Sequence, residues 1–192
     1  RLPLALALER RAGVAINERD DEDEATALML ACQNGHHPIV ATLVTLGADV
    51  GATMKAKKTA LEFATTEGHS GIVQSLLVGK ADVNASSSSS YTPLMLACSR
   101  GHKETAATLI SGRADVNAQE HDSLETPLTA ACRNGHMEVA KLLMDKGADA
   151  EAKTRGGQTA RQLAAQHENE LLRLLRRPAE MRASVPPAED QA

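Results

Sequence analysis

Apolar residues recur along this chain in one order. A short run of Leu, Met, Ala and Cys comes first, then a polar break with Gly-His, then paired apolar positions at i, i+1, i+4 and i+5. The pairs are Ile39-Val40 with Leu43-Val44, Ile72-Val73 with Leu76-Leu77, and Val139-Ala140 with Leu143-Met144. That spacing lines one face of an α-helix. In the third copy Thr105 and Ala106 weaken the stripe ahead of Leu109-Ile110. The clearest opening run is Thr92-Pro93-Leu94-Met95-Leu96-Ala97-Cys98-Ser99-Arg100-Gly101-His102, and equivalent runs begin at Thr26, Thr59, Thr126 and Thr159. The steps are 33, 33, 34 and 33 residues. A fixed period of this length marks a stack of equivalent supersecondary units.

Each unit reads as two helices. A Thr hydroxyl accepts an amide two or three residues on and starts the first helix. Pro93 and Pro127 stand at its first position, where a missing N–H costs nothing. About eight residues later the helix stops at a Gly, which enters the left-handed conformation without a Cβ clash. Helices this short do not hold in water alone, so each apolar face must be covered by the next copy. A polar stretch such as Lys55-Ala56-Lys57-Lys58 joins the units. Ser86 to Ser90 replaces one such stretch without lengthening it, and the stretch before Thr126 holds one extra residue, within Gln119 to Glu125.

The combination resembles the ankyrin repeat. Its carriers are Thr-Pro-Leu at Thr92 and Thr126, Thr-Ala-Leu at Thr26 and Thr59, and Gly-His at Gly35-His36, Gly68-His69, Gly101-His102 and Gly135-His136. Ala48-Asp49-Val50, Ala81-Asp82-Val83, Ala114-Asp115-Val116 and Ala148-Asp149-Ala150 close the units. The resemblance implies an all-α solenoid of helix-turn-helix units joined by hairpin-like fingers. It implies that His36, His69, His102 and His136 support the inter-helix turns, and that first helices and fingers form a concave face for another protein. Two departures stand out. The family's His after Thr-Pro-Leu is replaced, with Met29, Glu62, Met95, Thr129 and Arg161 read at that place. The Gly before Ala-Asp is displaced in two units, giving Gly79-Lys80 and Gly112-Arg113, so Lys80 and Arg113 are expected at positive φ.

The expected organisation is a partial N-terminal cap over 1–19, about five repeats over 20–177 (starting near 20, 53, 86, 119 and 153), and a disordered tail or linker over 178–192. The fifth unit is degraded and has the charged outer side of a C-terminal cap.

Composition narrows the function classes. The net charge of −4 lacks the basic excess of a nucleic-acid surface. No apolar run approaches the roughly 20 residues of a membrane span. Cys32, Cys98 and Cys132 recur at one place per layer and read as buried small hydrophobes. They place the chain inside the cell in a reducing compartment, the cytoplasm foremost and an organelle left open. One His per layer cannot converge on a metal, and Asp20 to Glu24 lacks the ligand alternation and Gly of a calcium loop. There is no phosphate loop, zinc-spaced set or Ser elbow. No enzyme, cofactor or metal is expected.

What remains is a surface. Residues not needed for packing differ from copy to copy: Glu22, Asp23, Gln33 and Asn34, then Lys55, Lys58, Thr66 and Glu67. Ser88, Ser89, Tyr91, Ser99 and Arg100 follow, then Asp122, Ser123, Glu125, Arg133 and Asn134. These are the expected partner-binding residues, with Tyr91 and Arg100 at the centre because Tyr and Arg are common anchors. The expected function is a scaffold or adaptor holding another protein, with no nucleic-acid binding and no membrane insertion. The alternatives are a permanent structural subunit of a larger complex and a targeting region of a longer multidomain enzyme.

Overall fold

A computed structural model describes residues 16–86 and 90–165. Among the described residues the helices are α1 (Ala27–Gln33), α2 (His37–Thr45), α3 (Ala60–Thr66), α4 (Ser70–Val78), α5 (Pro93–Arg100), α6 (Lys103–Ser111), α7 (Pro127–Arg133), α8 (Met137–Asp145) and α9 (Ala160–Ala164). Most of the cap expected over 1–19, the second helix of the fifth unit and the tail lie outside the described residues, as do Ser88 and Ser89.

The start and stop signals act as chemistry requires. The hydroxyls of Thr26, Thr59, Thr92 and Thr126 accept from the amides of Met29, Glu62, Met95 and Thr129 at 3.2–3.3 Å. In the fifth unit the Thr159 amide donates to Gln162 Oε1 at 2.9 Å. That bond puts Gln162, rather than Arg161, at the place where the other units carry Met29, Glu62, Met95 and Thr129. The third residue after the cap faces back toward it, and Arg161 is only the second. Gly35, Gly68, Gly101 and Gly135 all hold φ between 73° and 77°, each turning a first helix into a second.

First helices pack on first helices, in the order α1, α3, α5, α7, α9, and second helices on second helices, in the order α2, α4, α6, α8. Two parallel layers result. Leu28, Leu61, Leu94 and Leu128 from the first layer and Leu76, Leu109 and Leu143 from the second are sealed between them. Each such burial removes about 1.5–3 kcal/mol of apolar exposure. Ala31, Ala64, Ala97 and Ala131 recur on the first helices, also buried, where a larger side chain would hold neighbouring helices apart. Cys32, Cys98 and Cys132 are free, buried thiols. Burial raises all three above the ordinary thiol value, Cys32 and Cys132 to about 12.

Hydrogen bonds then tie unit to unit. The carboxamide oxygens of Asn17, Asn84 and Asn117 accept from the amides of Asp49, Asp115 and Asp149 in the following unit at 2.8, 3.0 and 2.8 Å. His102 Nε2 and His136 Nε2 reach back to the carbonyls of Thr66 and Ser99, each at 3.0 Å. These two rings therefore couple layers, where the family likeness pointed only to the turn they sit in.

Lys80 and Arg113 adopt φ of 68° and 70° in the place where Gly47 and Gly147 hold 88° and 85°. The displaced glycines have another use. A methyl at Gly79 would lie 2.8 Å from Val44 Cγ1, and one at Gly112 would lie 2.7 Å from Leu77 Cδ1. The preceding unit's aliphatic side chain occupies the space.

Candidate partner-binding face

The exposed side of each first helix follows from its register. In α1, Leu28, Met29, Ala31 and Cys32 are buried, which leaves Leu30, Gln33 and Asn34 outward at i, i+3 and i+4. The same places hold Phe63, Thr66 and Glu67, then Leu96, Ser99 and Arg100, then Ala130, Arg133 and Asn134. Gln33, Asn34, Glu67, Arg100, Arg133 and Asn134 are exposed, Thr66 and Ser99 half-buried. The Asn34 and Asn134 amides each donate back to a helix carbonyl, of Leu30 and Ala130, at 2.8 Å. The sequence expectation covers only the polar members of this face. Leu30 is 47% exposed and Phe63 and Leu96 are half-buried, so an apolar row runs beside the polar one. The signal was available: the buried first-helix pattern excludes that register position in unit one. Lys58 Nζ lies 5.8 Å from the centre of the Phe63 ring, within cation–π range.

The fingers come in two lengths. Met54–Lys58 and Thr154–Gln158 close with two backbone bonds each: Met54 N–H to the Lys58 carbonyl at 3.1 Å and Lys57 N–H to the Met54 carbonyl at 2.8 Å, then Thr154 N–H to the Gln158 carbonyl at 2.9 Å and Gly157 N–H to the Thr154 carbonyl at 2.8 Å. The longer form spans 20–25 and 120–125, where the amides of Asp20 and Glu120 donate to Ala25 and Glu125 at 3.0 and 2.9 Å. A carboxylate opens each long finger and caps it. Asp20 Oδ1 accepts the Asp23 amide at 2.7 Å, which holds that carboxyl below its usual value. Glu120 accepts the Ser123 hydroxyl at 2.6 Å, the Asp122 amide at 2.8 Å and the Ser123 amide at 2.5 Å, and is held down to about 2. The extra residue before Thr126 is thus absorbed by a carboxylate-centred turn. The acidic run Asp20 to Glu24 is an exposed finger of the same form.

Acidic long fingers are laced to basic short ones. The Lys55 amide donates to the Asp23 carbonyl at 3.0 Å and its Nζ to the Glu22 carbonyl at 2.6 Å. Arg19 donates to the Thr53 carbonyl at 2.9 Å. At the other end the Arg155 amide donates to the Ser123 carbonyl at 2.6 Å, and its guanidinium to the His121 carbonyl at 3.2 Å. The basic side chains of the short fingers, Lys55 and Arg155, thus bind main-chain carbonyls of the long ones. Lys55, offered by the sequence as a partner contact, makes one of these bonds and remains exposed.

Tyr91, Glu125 and Arg133 meet. The Tyr91 hydroxyl donates to Glu125 Oε2 at 2.5 Å and Arg133 Nε donates to Glu125 Oε1 at 2.7 Å. Glu125 is only 5% exposed, so its carboxylate organises its neighbours and presents little to solvent. Burial, then the hydrogen bond to Glu125, raises the Tyr91 phenol to about 12. Arg100 is exposed. Lys58, at the base of its finger, and Asp122, in the turn of the other, are exposed, with Ser123 half-buried between the Glu120 carboxylate and the Glu125 amide. Among the described residues no group of three His, Cys, Asp or Glu could hold a metal ion, and no helix is long and apolar enough to cross a membrane.

A family model described as ankyrin repeats (3 copies) matches residues 4–87, 28–120, 70–154 and 94–184. No curated protein matches the chain.

Proposed function

From the premise that this chain belongs to the ankyrin-repeat family, whose repeats generally act as protein–protein interaction modules and are typically non-catalytic, we propose that it is a scaffold or adaptor holding one partner protein on its first-helix face and fingers. The carrying observation is the contrast between two sets of positions. Buried ones repeat, as Leu28, Leu61, Leu94 and Leu128 do. Outward ones change from unit to unit: Gln33 and Asn34, Thr66 and Glu67, Ser99 and Arg100, Arg133 and Asn134. A surface with mixed charge and an apolar row beside it fits a protein better than a uniformly charged polymer.

The proposed contact set is Glu22, Asp23, Gln33, Asn34, Lys55, Lys58, Thr66, Glu67, Ser88, Ser89, Tyr91, Ser99, Arg100, Asp122, Ser123, Glu125, Arg133 and Asn134, joined by Leu30, Phe63 and Leu96. Arg100 and Tyr91 stand at its centre. Glu125 serves by orienting Tyr91 and Arg133.

The partner is captured from native lysate and identified by mass spectrometry, and variants are then tested against it. Arg100→Ala and Leu96→Asp should each weaken binding at least tenfold with the helical signal unchanged. Full affinity in both would remove the partner from this face. Size-exclusion of native extract separates the adaptor from a permanent subunit, since a constant large complex favours the second. The full reading frame decides whether a catalytic domain adjoins.

A further inference from the structure

The asparagine rungs between units are interrupted once. Asn17, Asn84 and Asn117 each supply a carboxamide oxygen to an aspartate amide of the next unit, and Gly51 occupies the corresponding place below Asp82. Glycine has no side chain to offer. Among the described residues no hydrogen bond from the Asp82 amide is formed.

A cavity of about 300 Å³ lies at this junction. Gly51 and Asp82 both line it. Val50, Leu61, Ala81 and Ala85 give it apolar walls, and Lys57 and Thr59 close the finger side. The vacant rung and the cavity coincide.

All three intact rungs place a carboxamide in the cradle, each using its oxygen and one, Asn117, its nitrogen as well. Asn117 uses both ends of its carboxamide: Oδ1 accepts the Asp149 amide at 2.8 Å and Nδ2 donates to the Gly147 carbonyl at 3.3 Å. The residues in those places at the vacant junction are Asp82 and Lys80. The Asp82 amide calls for an acceptor, and a carboxamide, as at Asn117, adds a donor for the Lys80 carbonyl. A carboxylate has no donor for the Lys80 carbonyl.

We propose that the cavity beside Gly51 is a binding site for a primary carboxamide, the side chain of an asparagine presented by a partner. Its oxygen accepts from the Asp82 amide and its nitrogen donates to the Lys80 carbonyl, restoring from outside the rung that the chain lacks. The site lies between a finger and the turn that follows α4, apart from the first-helix face. It stands or falls independently of that face, because its test uses small molecules.

The test is an NMR titration of the ¹⁵N-labelled full chain. The probe is N-acetyl-L-asparagine N-methylamide, with the alanine counterpart and acetate as comparisons. The asparagine probe should shift the Asp82 amide saturably, at a concentration at least tenfold below either comparison. Gly51→Asn should abolish the response, because the introduced side chain fills its own cradle. A Cβ at Gly51 would meet only Asp49 Oδ1 within 4 Å, at 3.4 Å, so the variant is accommodated. Equal response to the asparagine and alanine probes overturns the proposal, as does preference for acetate. No saturable shift at Asp82, or an undiminished response in Gly51→Asn, overturns it too.

Discussion

His136 Nε2 lies 3.0 Å from the carbonyl oxygen of Ser99, 37 residues earlier. The carbonyl has no proton, so Nε2 is the protonated nitrogen of the neutral ring. The ring rests on Gly101: a methyl there would sit 2.6 Å from His136 Nδ1. Gly68 faces His102 and Gly35 faces His69 in the same way, at 2.7 and 2.9 Å. Gly35, Gly68 and Gly101 therefore each meet two demands, a positive φ and room for the next unit's imidazole.

That pairing makes a double-mutant cycle informative. Gly101→Ala should cost more than about 2 kcal/mol, from left-handed strain of about 1–2 kcal/mol plus the clash. His136→Ala alone should cost about 1 kcal/mol for the lost bond. With the ring gone, Gly101→Ala should fall back toward the strain alone. Urea unfolding of the four proteins measures this, and additive costs would mean that ring and glycine do not interact.

At the ends of α4 and α6 two neighbouring positions should respond in opposite directions. Lys80→Gly relieves a residue at φ 68° and should stabilise by about 1 kcal/mol. Gly79→Ala places a methyl 2.8 Å from Val44 Cγ1 and should destabilise, even though alanine adopts the φ of −70° found there without strain. Melting temperatures of the two variants, moving apart around the parent, give the expected result.

Thr105 is 1% exposed and its hydroxyl has no hydrogen-bond partner. It stands on α6 where Ile72 and Val139 stand on α4 and α8. Thr105→Val keeps the shape and removes the stranded hydroxyl, so it should stabilise by about 1–2 kcal/mol. Chemical denaturation reads the sign directly, and a loss of stability would contradict it.

Acid should loosen the finger before α7. The folded Glu120 carboxyl titrates near 2, against an ordinary value of 4.5. Its folded value is depressed, so its contribution is present above 4.5 and is lost as pH falls from there through about 2. Glu120→Gln should flatten the fall in melting temperature across that window and leave neutral-pH behaviour closer to the parent's acid form. An unchanged pH profile would place the acid sensitivity elsewhere.

Much of this molecule is local and therefore legible. The period, the Thr caps, the positive φ of Gly101 and the strain at Lys80 all depend on residues within a few positions of one another. So does the burial of Leu94 or Cys98, because the helical period alone assigns them to the covered side. The face itself was legible in part: the exposed polar residues Gln33, Glu67 and Arg100 were found, and the apolar row of Leu30, Phe63 and Leu96 was not.

The sequence by itself determined that short amphipathic units must stack, since none can cover its apolar side alone. Only the tertiary structure decided what each outward residue does once stacked. Tyr91 meets Glu125 across 34 residues, the Lys55 ammonium reaches Glu22 across 33, and the Asp82 amide is left without the side chain that Gly51 does not have. Those relations span one repeat. They depend on how far one layer is set above the next, a distance that comes from packing the whole array.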